Sequence, residues 1–256
     1  MQLKVTGVVV REMNLGESDR IVTILTKERG VVRAFARGSK RLGSRLFAAT
    51  QPFCLSDFVL YHSKDKYILN EAQLATSFFK LRQDIERLSL AQYFCEVVSL
   101  IAPQEEEAEE WLRLTLNALH ILQAGDKPAC LIKAAFELRA ALLAGYCPDL
   151  EGCAGCGAAE GPFYFYALEG RLLCERCGAG ASGIVPLSPG VLAAMRHIVS
   201  CPAEKLFSFT LSPAALQLLG DVTERYLLVQ TERHFKTLDF YHAVAAPAAQ
   251  LQAEQP

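Results

Sequence analysis

The chain has 256 residues, of which 51% are hydrophobic and 21% are charged, and its formal net charge is −2 at pH 7. No apolar run reaches the roughly 18 residues that a transmembrane helix needs, and the first residues lack the cleavage site of a signal peptide, so we expect a cytoplasmic protein that does not act at a membrane. The net charge hides an asymmetry that favours a polyanionic partner for the first third of the chain: residues 1–80 hold 13 Lys and Arg against 7 Asp and Glu, whereas residues 81–256 hold 13 against 21.

Residues 1–77 predict a small β-barrel. Five short segments are rich in β-branched and aromatic residues and are separated by turn-forming sequences, which is typical of strands. The segments are LKVTGVVVRE, RIVTILTK, VVRAFAR, FCLSDFVLY and KYILNEAQL. Five such strands fit an OB-type barrel, a fold that often binds single strands. An SH3-like barrel fits the periodicity nearly as well.

The third segment carries candidate binding side chains. Because side chains alternate across a strand, Arg33, Phe35 and Arg37 share one face, and the apolar residues between them face the core. Two guanidinium groups beside an aromatic ring are typical of a groove that follows a nucleic-acid backbone and stacks its bases. The alternative is that Phe35 packs under a loop and both arginines are solvated.

A run of cations without carboxylates continues from this segment. Between Glu28 and Asp57 there is no acidic residue, yet six Lys and Arg fall inside, Arg29 being the first. Positive charge that has no partner in its own run indicates a polyphosphate partner. Two lysines of the next hairpin, HSKDKY, extend the set. The predicted DNA-binding residues are Arg33, Phe35, Arg37, Lys40, Arg41, Arg45, Lys64 and Lys66.

From residue 78 the apolar spacing becomes helical. We predict one helix that Pro103 ends, a second that opens with QEEEAEE and runs to Gly125, and a third over 128–145. Two more begin at Ser-Pro pairs, Ser188-Pro189 and Ser212-Pro213, each an N-cap followed by proline in the first turn. The last is expected to run through ERYLLVQTERHFKTLDFY. We interpret the glutamates between 105 and 110 as a solvated helix start and not as a metal site.

Four cysteines form the pattern CxxC-x17-CxxC. The two-residue gaps let both sulfurs of a pair reach one metal, and the intervening FYFYALEGRLL predicts a hairpin that turns at Glu169-Gly170. Four thiolates fill the shell of Zn²⁺, so the site is predicted to be a structural zinc ribbon with no open position for catalysis. The predicted ligands are Cys153, Cys156, Cys174 and Cys177. We expect the other five cysteines, Cys54, Cys95, Cys130, Cys147 and Cys201, to be buried small residues.

Motifs of catalysis are absent from the sequence. GSKRLGSR begins like a P-loop but lacks its Lys-Ser/Thr pair, and no HExxH, GxSxG or GxGxxG occurs. We therefore expect a protein that is not an enzyme. Three alternatives stay open: an RNA-binding protein with a barrel and a zinc ribbon, a nuclease with scattered carboxylates, and a scaffold whose basic stretch meets an acidic protein.

The order of these parts resembles the RecO family of bacterial recombination mediators over nearly the whole length. Four stretches carry the resemblance: GESDRIVTILTKERGVVRAFARGSKR for the barrel strands, TQPFCLSDFVLY for a later strand, FELRAALLAGYCPDLEGCAGCG for the approach to the cysteines, and ERYLLVQTERHFKTLDF for the closing helix. The resemblance implies an α+β multidomain protein. Its expected parts are an OB-fold barrel over 1–77, a helical domain over 78–146 and 181–245, an inserted zinc ribbon over 147–180, and a frayed tail over 246–256.

The resemblance also implies a function. A RecO-like protein would bind single- and double-stranded DNA at the nucleoid, anneal complementary strands, and help to load RecA onto DNA coated by single-strand-binding protein. Its implied partners are RecR, in some species RecF, and the acidic C-terminal tail of the coating protein. Lys133 and Arg139 lie in the matching helix and are candidates to bind that tail. An equally good interpretation is that both are ordinary solvated residues of a helix.

Overall fold

A computed structural model describes residues 1–63 and 66–245. Lys64 and the predicted tail over 246–256 lie outside these residues. Two compact units divide the chain: unit 1 contains Met1–Ala124 and the segment from Phe235 onward, and unit 2 contains Gly125–His234. Among the described residues, no helix has the length and apolar character that a membrane span requires.

Unit 1 begins with a closed five-stranded barrel. Its strands are β1 (Gln2–Leu15), β2 (Asp19–Thr26), β3 (Gly30–Ala36), β4 (Cys54–Ser63) and β5 (Lys66–Ser77). The order around the barrel is β1-β2-β3-β5-β4, and only the β3–β5 pair is parallel. Closure occurs through β1, which pairs with β2 along its second half and with β4 along its first. The predicted OB-type barrel is confirmed.

Alternation along the strands fills the barrel interior. Val32, Ala34 and Ala36 of β3 are buried in a cluster with Val22, Ile24 and Phe58, as the alternating pattern predicts. A short helix, α1 (Leu46–Ala49), follows the loop after β3. Near it, Arg20 is buried, with its Nε 3.0 Å from Glu12 and its Nη1 donating to Thr50 at 3.0 Å. This guanidinium is therefore a structural group of the barrel.

Three helices complete unit 1: α2 (Ile85–Ile101), α3 (Glu109–Ala124) and α8 (Lys236–Ala245). Asp84 caps α2 by accepting hydrogen bonds from the amides of Glu86 and Arg87. Phe235 enters the unit as α8 begins, and its ring lies edge-on to Tyr93 of α2 at 5.6 Å between centroids. This contact joins the two chain segments that make up unit 1.

The segment QEEEAEE does not open a helix as predicted. The helix α3 begins at Glu109, five residues after Gln104. The backbone before it pairs instead with the β2–β3 turn: the amide of Glu105 donates to the Arg29 carbonyl at 3.0 Å, and that of Ala108 to the Lys27 carbonyl at 2.8 Å. Glu105 has a φ of 60° and also accepts from the hydroxyl of Tyr67. The left-handed φ of Glu105 is incompatible with a helix that starts at Gln104, and the bonds to the β2–β3 turn hold this segment outside a helix.

Unit 2 combines three helices with a small sheet. The helices are α4 (Ala129–Leu143), α6 (Pro189–Ser200) and α7 (Pro213–Thr231), the strands are β6 (Asp149–Cys153), β7 (Phe163–Tyr166), β8 (Arg171–Cys174) and β9 (Ile184–Leu187), and a single turn, α5 (Glu175–Gly178), follows β8. Both predicted caps form, since the hydroxyls of Ser188 and Ser212 accept from the amides three residues on. The last helix is shorter than predicted: α7 ends at Thr231, and Glu232 adopts a left-handed φ of 51°, a common helix stop.

The sheet of unit 2 rests on α7. The β7–β8 turn contains Gly170, where a Cβ would lie 2.8 Å from the hydroxyl of Tyr226. The side-chain amide of Gln230 donates to the carbonyls of Ala167 and Leu168 in the same turn. The predicted hairpin and its turn are thus present. The predicted domain division stays a prediction. The compact units are a different kind of division, and they separate the helical residues at Gly125 and at Phe235.

Substitution of Gly16 and Gly30 would distinguish the cost of a left-handed backbone from the cost of a steric clash. Gly30 and Gly16 have φ values of 60° and 62°, but a Cβ on Gly30 would lie 2.0 Å from the Pro103 carbonyl oxygen, whereas one on Gly16 meets nothing within 4 Å. We expect Gly16→Ala to lower the free energy of unfolding by about 1 kcal/mol, the cost of a left-handed L-residue. Gly30→Ala should cost several times more. Thermal unfolding of both variants measures the difference, and equal losses would contradict the close approach.

Candidate nucleic-acid interface and metal site

The outer surface of β1, β2 and β3 carries two matched rows of side chains. Cross-strand register places Arg11 opposite Thr23 and Thr23 opposite Arg33. The next row is apolar and joins Met13, Ile21 and Phe35. Residues paired directly across antiparallel strands share a face, so arginine and aromatic side chains stand side by side. We call this surface the barrel face.

The apolar row of the barrel face is partly open to solvent. Met13 is 43% exposed, and Ile21 and Phe35 are half-buried. The guanidinium of Arg37 lies over the Phe35 ring, 5.7 Å from its centroid. Flat apolar surface next to guanidinium groups offers both stacking and cation–π contact to a base. The arrangement that alternation predicted around Phe35 is therefore present for Arg37.

Residues 37–45, which we call the basic loop, are held against the β1–β2 turn. The amide of Gly38 donates to Asp19 Oδ1 at 2.8 Å, and the amide of Lys40 donates to the Ser18 carbonyl at 3.0 Å. Ser39 is buried and its hydroxyl donates to the Ala36 carbonyl at 2.9 Å. The backbone of the loop is thus fixed at its base, and the side chains of Arg37 and Arg41 are exposed. Lys40 is half-buried, and its ammonium donates to the Gly16 carbonyl at 3.3 Å.

The charges of the basic loop have few partners in the protein. Within residues 1–63 and 66–245, no carboxylate lies within ion-pair distance of Arg33, Arg37, Lys40, Arg41 or Arg45. Arg29 is the first cation of the carboxylate-free stretch between Glu28 and Asp57, and its Nη1 lies 3.8 Å from Glu105. This cation therefore has an ion-pair partner elsewhere in the protein. Asp19 lies near the loop cations without pairing with them. The hydrogen bond from the Gly38 amide is the main cause that lowers the pKa of the Asp19 carboxyl, and the charges of Arg41 and Arg37 lower it further.

Not all predicted residues share the barrel face. Arg45 is exposed but lines a separate groove of about 950 Å³ together with Asp57 and Glu71. Lys66 is exposed at the start of β5, and Lys64 lies outside the described residues. The structure therefore brings together Arg33, Phe35 and Arg37 with the adjoining loop, and places Arg45 on another side of the barrel.

Arg11 is a member of the barrel face that sequence reasoning missed. Strict alternation along β1 puts it on the same side as Val9, which is fully buried in the barrel interior. A register shift between Val9 and Arg11 turns the strand, as a β-bulge does. Arg11 is exposed as a result and shares a groove of about 410 Å³ with Arg33. No signal in a single sequence marks this bulge.

The four predicted ligand cysteines come together in unit 2. Their sulfurs all lie within 4.8 Å of one another, with 3.7 Å between those of Cys156 and Cys174. The amide of Cys174 donates to the Cys153 sulfur at 3.2 Å. Gly155 is needed here, because a Cβ at this position would lie 2.9 Å from the sulfur of Cys177. Four soft donors at this spacing can hold one metal ion.

Protonation within the cluster reflects its crowding. The amide of Cys174 lowers the pKa of Cys153 to about 6, since it stabilises the thiolate. Hydrogen bonds that the Cys177 thiol donates to the neighbouring sulfurs, that of Cys174 first, favour its protonated form and raise its pKa to about 12. Four thiolates this close repel one another, so a divalent cation is the natural counter-charge for the fully deprotonated set.

The other cysteines divide by exposure. Cys54, Cys95 and Cys201 are buried, as expected, and burial raises the pKa of Cys95 to about 12, which makes its thiol inert. Cys130 is half-buried. Cys147 was expected to be buried and is exposed, because it falls in the connection between α4 and β6 and outside both packed elements. It is not part of the cluster of four cysteines.

Comparison with known proteins assigns almost the whole chain. The family model for the N-terminal part of recombination protein O matches residues 1–78, and the model for its C-terminal part matches residues 82–239. The chain belongs to the RecO family. Among curated relatives, the DNA repair protein RecO of Acetivibrio thermocellus is 36% identical over 93% of this chain and 95% of its own length.

Other RecO relatives match to similar extents. The DNA repair protein RecO of Symbiobacterium thermophilum is 32% identical over 92% of this chain and 95% of its own length. That of Anaeromyxobacter sp. (strain K) is 38% identical over 84% of this chain and 85% of its own length. The predicted family is confirmed, and with it a place in DNA repair.

The two residues that the RecO resemblance offered for a partner's acidic tail are engaged within unit 2. Lys133 is 5% exposed, and its ammonium lies 2.8 Å from Glu137 and 2.6 Å from Glu224. Arg139 Nη2 donates to the carbonyls of Ile198 and Cys201, at the end of α6. Their role towards a partner stays a prediction, and both side chains link α4 to its neighbours.

The contact between Asp19 and Gly38 should titrate. Its carboxyl pKa is depressed below the ordinary 3.8, so the contact is present above that pH and is lost as the pH falls through the lower folded-state value. The amide resonance of Gly38, followed by NMR through acid titration, should shift with a midpoint below 3.8. Asp19→Asn should abolish the titration. A midpoint at or above 3.8 in the unmodified protein would contradict the anchoring bond.

Proposed function

We propose that this protein is a DNA repair and recombination mediator that binds single- and double-stranded DNA through the barrel face and the basic loop. Membership of the RecO family supports the proposal, and one observation carries the site: cations without carboxylate partners surround an open apolar row on a fixed backbone. The proposed DNA-binding residues are Arg33, Phe35, Arg37, Lys40, Arg41, Arg45, Lys64 and Lys66, to which we add Arg11.

Phosphate contacts supply most of the affinity in this proposal. Each Lys or Arg that meets a phosphate releases condensed counterions, so the affinity falls steeply as salt rises. Such contacts do not read sequence, and a repair protein must act wherever damage occurs. Phe35 and the apolar row around it add stacking with unpaired bases, which every base can provide through its π-face.

Strand annealing has an electrostatic account on the same surface. Two complementary strands repel each other through their phosphates, and a basic surface that holds both reduces this repulsion until bases pair. Arg33 and Arg11 lie on the barrel face, whereas Arg45 lies in the separate groove. Cations on two sides of one small barrel suit a protein that must hold two strands. We propose that annealing and RecA loading onto coated DNA follow from this capacity.

The cysteine cluster is proposed to hold a structural Zn²⁺. Cys153, Cys156, Cys174 and Cys177 would be its ligands, and four thiolates complete a tetrahedral shell. When bound, the metal supplies the cross-link between the loop before β7 and the end of β8. No position would remain for water, so the proposed role is mechanical, and the protein as a whole is proposed to have no catalytic activity.

Proposed partners follow from the family resemblance. They are RecR, in some species RecF, and the acidic tail of single-strand-binding protein. For the tail, Lys133 and Arg139 remain the proposed contacts. Binding there would require the tail to compete with Glu137 and Glu224 for the Lys133 ammonium, or to approach it from outside those pairs.

Neutralising the basic loop should weaken DNA binding through its salt dependence. In the triple variant Arg37→Gln, Lys40→Gln, Arg41→Gln, the log–log slope of affinity against salt for single-stranded DNA should fall by about 2, at roughly 0.7 per contact. Affinity at low salt should fall at least about tenfold. Fluorescence anisotropy over a salt series measures both quantities.

The control for this triple variant carries three other exposed cations changed to Gln, Lys205, Arg225 and Lys236, and should bind normally. Strand annealing with and without single-strand-binding protein tests the mediator role on the same variants, and the loop variant should anneal more slowly in both. Equal affinity of loop variant and parent at low salt would refute the site. Preference for an RNA competitor of equal length would favour an RNA-binding function instead.

Loss of one proposed ligand should release the metal. Cys153→Ser is expected to contain no stoichiometric zinc by elemental analysis and to unfold roughly 5 °C or more below the parent, because the cross-link is lost. Cys147→Ser is the matched control, since this cysteine is exposed and outside the cluster. Full zinc content in the Cys153 variant would rule out the assigned ligand set.

A further inference from the structure

The tip of the basic loop carries an apolar side chain that the protein does not bury. Leu42 is 96% exposed, the highest value among the large apolar residues that the structure describes. Single exposed leucines are common on protein surfaces. Leu42 differs in its setting, because it follows Arg41 directly and precedes Gly43 and Ser44, in a run otherwise composed of polar and basic residues.

The backbone presents Leu42 firmly. On one side the loop is tied by the bonds of Gly38 to Asp19 and of Lys40 to Ser18. On the other, the amide of Ser44 donates to the Arg41 carbonyl at 3.0 Å, which closes a turn around Leu42 itself. Gly43 has a φ of 83°, a value that glycine adopts without strain. A leucine at the apex of such a turn points away from the barrel without collapsing onto it.

The positive charges around Leu42 indicate what kind of molecule it can contact. The loop cations Arg37, Lys40 and Arg41 attract phosphates to the loop. Protein partners generally bury a patch of many residues, whereas Leu42 is flanked by a guanidinium and a glycine. One apolar side chain between phosphate-binding cations has the size and chemistry of the wedges that architectural proteins insert between stacked bases.

We propose that Leu42 is a wedge that enters the base stack of duplex DNA while the loop cations hold the flanking phosphates. This inference rests on the proposed DNA-binding function and names a contact beyond it. The wedge separates two adjacent base pairs and kinks the duplex, which costs stacking free energy. It therefore acts best where stacking is already weak, at ends, mismatches and flexible pyrimidine–purine steps.

Duplexes that contain 2-aminopurine at successive positions test the wedge. Unstacking relieves quenching of this base, so saturating full-length protein should raise its fluorescence about two- to fivefold at one or two adjacent positions. Leu42→Ala should abolish the rise while its duplex affinity stays within about threefold of the parent, because the phosphate contacts remain. Leu42→Met should retain the rise, since it keeps an apolar wedge.

Leu168→Ala is the matched control, because Leu168 is also exposed, at 63%, and lies in the β7–β8 turn. It should leave the signal unchanged. A flat signal at every position with the parent protein bound, or a full signal with Leu42→Ala, would overturn the wedge and leave the DNA-binding proposal intact. Failure of the parent protein to bind any DNA would instead overturn both.

Discussion

Closure of the barrel through β1 is the constraint on which the rest of unit 1 depends. This strand pairs with β2 on one side and β4 on the other, so alternate side chains in the central parts of the strands face a closed interior. Small and branched apolar residues fill that interior. Most charged side chains on the same strands lie on the outer surface, and Arg20, which is buried against Glu12 and Thr50, is an exception. The bulge after Val9 then decides that Arg11 joins this surface.

The two units treat buried and exposed charge in opposite ways. In unit 2, Lys133 and its two glutamates are drawn into the helical core, where each charge has an opposite partner. Removal of one partner from such a group would leave an uncompensated buried charge, which is strongly destabilising. In unit 1, the loop cations are kept at the surface, and Asp19 at the base of the loop binds a backbone amide instead of a cation.

Features with a local cause were predictable from the sequence. The five strands, the Ser188 and Ser212 caps and the paired cysteines each depend on residues close together in the chain. Features that depend on distant partners were not. The start of α3 is delayed by backbone bonds to the β2–β3 turn, and the helical pattern through Glu232 is interrupted before Phe235 packs on Tyr93. The placement of Arg45 away from the barrel face likewise depends on tertiary structure.

The return of the chain to unit 1 at Phe235 has a consequence for biosynthesis. Glu96 of α2 accepts hydrogen bonds from the amide and hydroxyl of Thr237, a residue 141 positions later. Ribosomes add roughly 5–20 residues per second, so α2 emerges on the order of ten seconds before the helix that covers it. Throughout that interval the ring of Tyr93 lacks its final aromatic neighbour. The nascent amino-terminal half therefore completes its core only after residues 235–245 have been synthesised.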